Sequence, residues 1–205
     1  MVNGSFYGRY VKRLLDILIV LASAPVVLPI IALFALLIRR DGGPAFYSQE
    51  RIGKDGKSFT CWKLRSMVVD ADRKLTEYLA ENPAANAEWV VSQKLRHDPR
   101  ITKVGNFIRK TSIDELPQLW CILIGDMSLI GPRPFLPEQQ KLYKGSAYYE
   151  LRPGLTGFWQ VGDRNESSFA ARAVFDNRYA QELTLATDLG ILVRTVGVVL
   201  RGTGV

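Results

Sequence analysis

Histidine occurs once in this chain of 205 residues, at His97, and cysteine only twice, at Cys61 and Cys121. A lone histidine beside Asp98-Pro99 makes a Ser-His-Asp triad or a histidine-rich metal centre a poor expectation, and it reads as a loop-fixing hydrogen bonder. The two cysteines stand in apolar or aromatic settings without metal-ligand spacing. A zinc site and a disulfide framework therefore lack support, and both thiols read as buried small hydrophobes in a reducing compartment. Internal repeats and low-complexity linkers are missing too, which leaves one core, or one core with an anchor, as the expected organisation. Acid is in short supply: 27 Lys and Arg face 20 Asp and Glu, a net charge of +7. That excess implies an anionic partner without choosing among nucleic acid, phospholipid headgroups and nucleotide diphosphates.

Charge is absent altogether from Ile17 to Ile38, 22 residues. As a straight helix this run would reach ~33 Å, enough to cross a bilayer. Pro25 and Pro29 lie near its middle, and each removes a backbone donor, so a break or kink is expected there. Lys12-Arg13 precede the run and Arg39-Arg40 follow it. Basic flanks favour the cytoplasmic face, so a helix that enters the membrane, bends and returns satisfies both features; a simple span and a buried core helix are the alternatives. Ala22-Ser23-Ala24 has the look of a signal cleavage site, but the apolar run continues past it and Pro25 follows the cut, so a signal peptide is rejected. Asp16, at the mouth of the run, is expected to partner Lys12 or Arg13.

Ala45 to Gln49 and Ser58 to Arg65 are short, aromatic-rich and strand-like, and the Asp55-Gly56 pair between them suits a hairpin turn. Strand alternation would put Lys63 and Arg65 on one face, as either a solvated basic face or a phosphate clamp. Amphipathic helices are expected from Met67 to about Leu79 and from Ala84 to about Leu95. Arg96, Arg100, Lys103, Arg109 and Lys110 then crowd into 15 residues just before an adjacent acid pair, Asp114-Glu115. The pair has two readings. Ser112-Ile113-Asp114-Glu115 fits a capping box, but with Ser112 as cap Pro117 would be the fifth helical residue and would disrupt the ladder. A helix starting near Asp114 puts Pro117 in the first turn and both acids at its positive end, where a phosphate is also most easily held. Neighbouring cations would keep both acids ionised and leave charge over for a diphosphate.

An apolar helix follows the pair. Gly125 to Pro134 reads as a loop in which Arg133 stands between two prolines, without the spacing of a nucleotide-triphosphate phosphate loop. Leu151 to Asn165 is a second Gly/Pro-marked loop, carrying Arg152, Trp159, Gln160 and Arg164; it is either a seat for a base and sugar or an ordered surface loop. Two helices close the chain, roughly Ser168 to Gln181 and Leu185 to Arg201. The last is either a membrane-interfacial helix or a packed core helix.

KRLLD ahead of a proline-broken hydrophobic helix, FYSQERIG, FTCWKLRSM, IRKTSIDELPQLW, GDMSLIGPRP and RPGLTGFWQV occur in that order. This succession resembles the monotopic phosphoglycosyl transferases, the bacterial sugar transferase family, over almost the whole chain. The family's re-entrant helix usually breaks at a Ser-Pro step, whereas here Ala24 precedes Pro25 and Ser23 is one earlier, so the membrane-helix break is expected around Ser23, Pro25 and Pro29. The resemblance implies a mainly α fold with a small β-hairpin (α+β). Residues 1–40 would form a re-entrant membrane anchor and residues 41–205 a cytoplasmic catalytic region with membrane-interfacial helices. It also implies the minimal catalytic form, without the multi-span domain of larger relatives.

The activity so implied is transfer of a sugar 1-phosphate from a UDP-sugar to undecaprenyl phosphate with Mg2+, releasing UMP, at the cytoplasmic face of the bacterial inner membrane. Likeness to exopolysaccharide-initiating members points to galactose or glucose. By the same resemblance Asp114 would be the nucleophile that forms an aspartyl phosphosugar, and Asp114 with Glu115 would hold Mg2+, or Glu115 would position the acceptor phosphate. Lys63, Arg65, Arg109, Arg133, Arg152 and Gln160 would bind substrate. An aspartate near its reference pKa of ~3.9 needs no base to become a nucleophile. A homodimer is the default assembly. Two other readings stand beside this one: the same transfer in a ternary complex with Asp114 as base or metal ligand, and a non-enzymatic module for anionic lipid. Nucleic acid is not expected as a partner, since it would not need adjacent acids.

Overall fold

The computed structural model describes residues 6–92, 95, 97–162 and 169–201; Arg96, Arg164 and the expected helix start at Ser168 lie outside the described residues. Helices dominate, with two small two-stranded sheets. Helix α1 spans Lys12–Ile38 after a π-helical turn at Tyr7–Val11. It runs on through Pro25 and Pro29, where the sequence predicted a break or kink, without leaving the helical state. The two prolines are four residues apart, so their missing donors fall on one side of the helix and the ladder on the other side carries it. Ser23 turns its hydroxyl back to the Val20 carbonyl, 2.9 Å away, a local bond of the kind that accompanies bending rather than breaking.

Both ends of α1 dock on the rest of the chain. Near its start, Val20 enters the main core, and buried Asp16 accepts from the Ser128 hydroxyl (2.8 Å) and the Leu129 amide (3.0 Å). Its expected partners are engaged elsewhere: Lys12 pairs with Asp188 at 2.7 Å, and Arg13 donates to the carbonyls of Ile122 and Leu123. Near its end, Ile38 packs with Leu64 and Ile108, and Phe34 stacks on Phe107. Between these docks Leu21, Val26 and Leu28 are exposed. The Tyr7–Asp41 helix is long and apolar enough to cross a membrane.

Strands β1 (Phe46–Ile52) and β2 (Ser58–Leu64) form the expected antiparallel hairpin, with Phe46 opposite Leu64 and Ile52 opposite Ser58. Asp55 and Gly56 take the left-handed conformations that an Asp-Gly turn needs. Helices α2 (Ala71–Glu81) and α3 (Pro83–Ser92) follow, then α4 (Lys103–Lys110), whose first turn is capped by Thr102 accepting from the Gly105 amide. Helix α5 (Gln118–Ile124) stops at Gly125, left-handed at φ 98°.

The two Gly/Pro-marked stretches are more than loops. Each contains a three-residue strand, β3 (Ser128–Ile130) and β4 (Gly154–Thr156), paired in parallel. A β-carbon on Gly154 would collide with the Gly131 amide nitrogen, so glycine there is what lets the two segments meet. Short helices α6 (Ala147–Glu150) and α7 (Phe158–Val161) lead to α8 (Arg172–Gln181) and α9 (Leu185–Leu200). The last helix is packed on one side, with Asp188 and Ile191 buried, while Val193, Val196 and Leu200 are exposed on the other. Asp188 also accepts from Tyr7 (2.6 Å) and Tyr179 (2.7 Å), which ties both ends of the described chain to α8. The main core brings Cys61 and Cys121 together with Met127, Ile130 and Tyr179; both thiols are free and buried, and burial pushes Cys61 up to about 11. His97 is exposed.

Candidate active site

Helix α4 ends at Lys110, and Ser112 turns the chain in the left-handed region at φ 57°. Ile113–Glu115 then form a single 3-10 turn before Pro117 opens α5. The capping box does not form: Ser112 makes no side-chain cap, because its backbone is already committed to the reversal. The second reading of the pair therefore holds in outline, with the acids in the turn that leads into α5.

The two carboxylates differ in their company. Glu115 is gripped by Lys63 Nζ at 2.7 Å and Arg133 Nη2 at 3.2 Å. Asp114, 8% exposed, has Lys63 at 3.9 Å and accepts no hydrogen bond among the described residues. Burial pushes the Asp114 carboxyl above its ordinary range; Lys63 opposes this, the Glu115 charge adds to it, and Arg109 and Arg133 oppose it in turn. The sequence expectation of an unperturbed aspartate is thus corrected, because the acid is buried away from water and its cations offset that cost only in part.

The structure gathers Lys63, Arg109 and Arg133 around the pair. Arg109 acts through its charge, and its buried Nη1 has no partner among the described residues. Arg65 does not join them. Past the end of β2 its side chain turns into a buried tie, donating to Asp41 and to the carbonyls of Pro44 and Met67. Arg152 is also elsewhere, with Nε 2.8 Å from the Gly125 carbonyl at the far end of α5. There it shares the C-terminal end of α5 with Arg13, which holds the Ile122 and Leu123 carbonyls.

Two further cations escape a reading of the sequence alone. Arg51 shares the inward face of the hairpin with Lys63, and burial with the Arg133 charge lowers its pKa. Strand alternation counted from Lys63 across the turn would have found it. Arg172 lies on α8, stacked over Trp159 at 4.2 Å and Phe169 at 4.7 Å, with Arg133 over the same indole at 5.9 Å. Burial and Arg133 push Arg172 down to about 10. Repulsion among these guanidiniums is the mark of a site built to receive negative charge.

Beside the pair opens a cleft of about 230 Å3, walled by Glu115, Arg133, β4, α7 and α9. Gln160, buried in its wall, has neither amide atom paired among the described residues. Among those residues no third carboxylate, histidine or cysteine joins the acids. Two carboxylates are too few for a closed metal cage, yet they suit an ion such as Mg2+ that keeps waters and substrate phosphate oxygens in its shell.

Comparison with known proteins converges on this region. The chain is 45% identical over 199 residues to the UDP-galactose-lipid carrier transferase of Erwinia amylovora, covering 96% of this chain and 42% of that protein. It is 46% identical over 199 residues to the undecaprenyl-phosphate galactose phosphotransferase of Salmonella typhimurium, again 42% of that protein. With the exopolysaccharide production protein ExoY of Sinorhizobium fredii it shares 43% identity over 200 residues, 88% of that protein. The chain thus spans less than half of the first two relatives and most of the third. The sequence profile described as bacterial sugar transferase matches residues 7–202, from the first turn before α1 to just beyond α9. Helix α1, the acid pair and both strand pairs all fall inside that match, and the chain belongs to the bacterial sugar transferase family.

Proposed function

We propose that the chain transfers a sugar 1-phosphate from a UDP-sugar to undecaprenyl phosphate, releasing UMP and forming undecaprenyl-diphosphate-sugar. One observation carries this reading: a buried carboxylate without hydrogen bonds among the described residues, beside a second carboxylate already paired with Lys63 and Arg133, with Arg109 near it and Arg51 and Arg172 adding charge around Arg133. Such a site attracts a diphosphate and still offers one anionic oxygen to attack it. An Asp114 oxygen attacks the phosphorus bonded to the sugar, the bond from that phosphorus to the UMP oxygen breaks, and UMP leaves with the electron pair. An oxygen of the lipid phosphate then attacks the same phosphorus and the bond to Asp114 breaks, restoring the carboxylate. Lys63 and Arg133, now held by Glu115, are placed to shift onto the phosphate oxygens as charge moves. Asp114 and Glu115 would hold Mg2+, which would supply further neutralisation of the diphosphate.

The burial that raises Asp114 would also suit a general base, with the lipid phosphate attacking the donor directly in a ternary complex. The two routes differ in whether the protein is ever covalently modified.

Topology supports access to both substrates. A straight crossing would separate the ends of α1 by about 30 Å on opposite sides of the bilayer. Both ends instead dock on one body, which favours a re-entrant anchor with the site at the cytoplasmic face. Exposed Phe107, Trp120 and the outer face of α9 suit an interfacial position beside it.

Steady-state UMP release from UDP-galactose, UDP-glucose and an N-acetylated UDP-sugar, with Mg2+ and undecaprenyl phosphate, tests the reaction. Release with a galactose or glucose donor is expected, falling by ~10^4-fold in Asp114→Asn. Unchanged release in that variant, or none from the wild type with any donor, would sink the proposal and revive a lipid-binding module.

A further inference from the structure

The cleft beside the acid pair has a polar mouth and a long aliphatic wall, and its chemistry matches neither a uracil nor a sugar. Glu115, Arg133, Ser112 and Gln160 stand at its polar part, while Leu116, Leu155, Leu192, Val198 and Val199 belong to its aliphatic wall. The one hydroxyl that α9 contributes, on Thr195, is already committed to Thr156 (2.7 Å) and the Ile191 carbonyl (2.8 Å). A sugar ring placed there would leave its hydroxyls unpaired against hydrocarbon, which is costly.

We propose that this cleft holds the first isoprene units of the polyprenyl phosphate acceptor, a role that rests on the transfer reaction proposed above. Three observations lead to that occupant. The acceptor phosphate must reach the phosphorus carried by Asp114, so the carbons next to that phosphate lie beside Glu115, where the cleft begins. A phosphate head meets Arg133 and the buried Gln160 amide, whose donor lacks a partner among the described residues. The volume also fits: an apolar cavity of about 150 Å3 accepts benzene, so about 230 Å3 takes one or two branched five-carbon units. Helix α9 is apolar on both sides of this groove. Leu192, Thr195 and Val199 line it at helical spacing, and Val193, Val196 and Leu200 face outward and exposed, so a chain leaving the cleft stays against hydrocarbon. The cleft would thus select a branched chain next to the phosphate, while the rest of the tail remains in the bilayer.

The test compares Val199→Trp, which fills the cleft, Val199→Ala, which widens it with little risk to folding, and Val193→Trp on the outer face. Apparent KM values for undecaprenyl phosphate and for the UDP-sugar are measured in nanodiscs, with a straight-chain alkyl phosphate as a second acceptor. Val199→Trp is expected to raise the acceptor KM about tenfold or more and leave the donor KM within about twofold. Val199→Ala should narrow the preference for the branched acceptor, and Val193→Trp should change neither KM. A rise in donor KM with the acceptor's unchanged would assign the cleft to the nucleotide sugar and overturn the inference. So would unchanged kinetics in both Val199 variants. Should the wild type release no UMP with any polyprenyl phosphate, the transfer reading itself falls, and the cleft assignment with it.

Discussion

Asp114 and Glu115 are neighbours in the chain with different surroundings, and on the proposed reaction the difference would divide their work. Glu115 is spent on Lys63 and Arg133, whereas Asp114 keeps its oxygens for a substrate. That freedom costs stability. Because the folded chain raises the Asp114 pKa above its ordinary 3.8, the native state binds the proton more tightly than the unfolded one, and this group's contribution falls as pH rises from 3.8 through the raised value. Asp114→Asn should therefore be inactive yet melt no lower than the wild type at about pH 7. A clearly lower melting temperature would show that Lys63, Arg109 and Arg133 make the charge a net stabiliser. In the wild type, the acid limb of UMP release should lie above pH 3.8. The cations nearest in sequence to the pair were legible because they bracket it, and Lys63 because it lies on a strand. Arg65 misled because alternation stops at Leu64. Arg172 carried no local signal at all, since its role depends on α8 folding back over Trp159.

At the scale of elements, the hairpin, α5 and α9 follow from turn chemistry and apolar periodicity, which are local. Strands β3 and β4 do not: each has three residues, and each owes its state to a partner more than twenty residues away. Glycine and proline in both stretches read as loop, although Gly154 is there so that two backbones can touch. Helix α1 shows the complementary limit. Its prolines predict a break or kink, and the helical state runs on through both of them while the two ends pack against the rest of the chain. If α1 is re-entrant, Tyr10→Cys and Arg40→Cys, both at exposed positions, should react with an impermeant thiol reagent from the cytoplasmic side only. Labelling of the two from opposite sides would establish a single span instead.

The whole molecule solves a problem of solubility. On the proposed reaction the donor is a water-soluble anion and the acceptor a lipid, so the reacting phosphorus would have to sit at the boundary, where an excess of +7 would draw both phosphates. Helix α1 reaches the site through two links: Asp16 holds Ser128 and Leu129, and the Lys12 ammonium lies 5.7 Å from the ring of Tyr179, whose hydroxyl donates to the Ile130 carbonyl just ahead of the Arg133 loop. Membrane seating and phosphate binding thus share one scaffold. The most direct test of this account is the intact mass of the nanodisc-held protein after incubation with Mg2+ and a UDP-sugar, without any lipid acceptor. A gain of one sugar phosphate, absent in Asp114→Asn and removed by adding undecaprenyl phosphate, is the predicted result. An unmodified mass, with UMP released only once acceptor is present, would contradict the covalent route and assign Asp114 to a ternary complex.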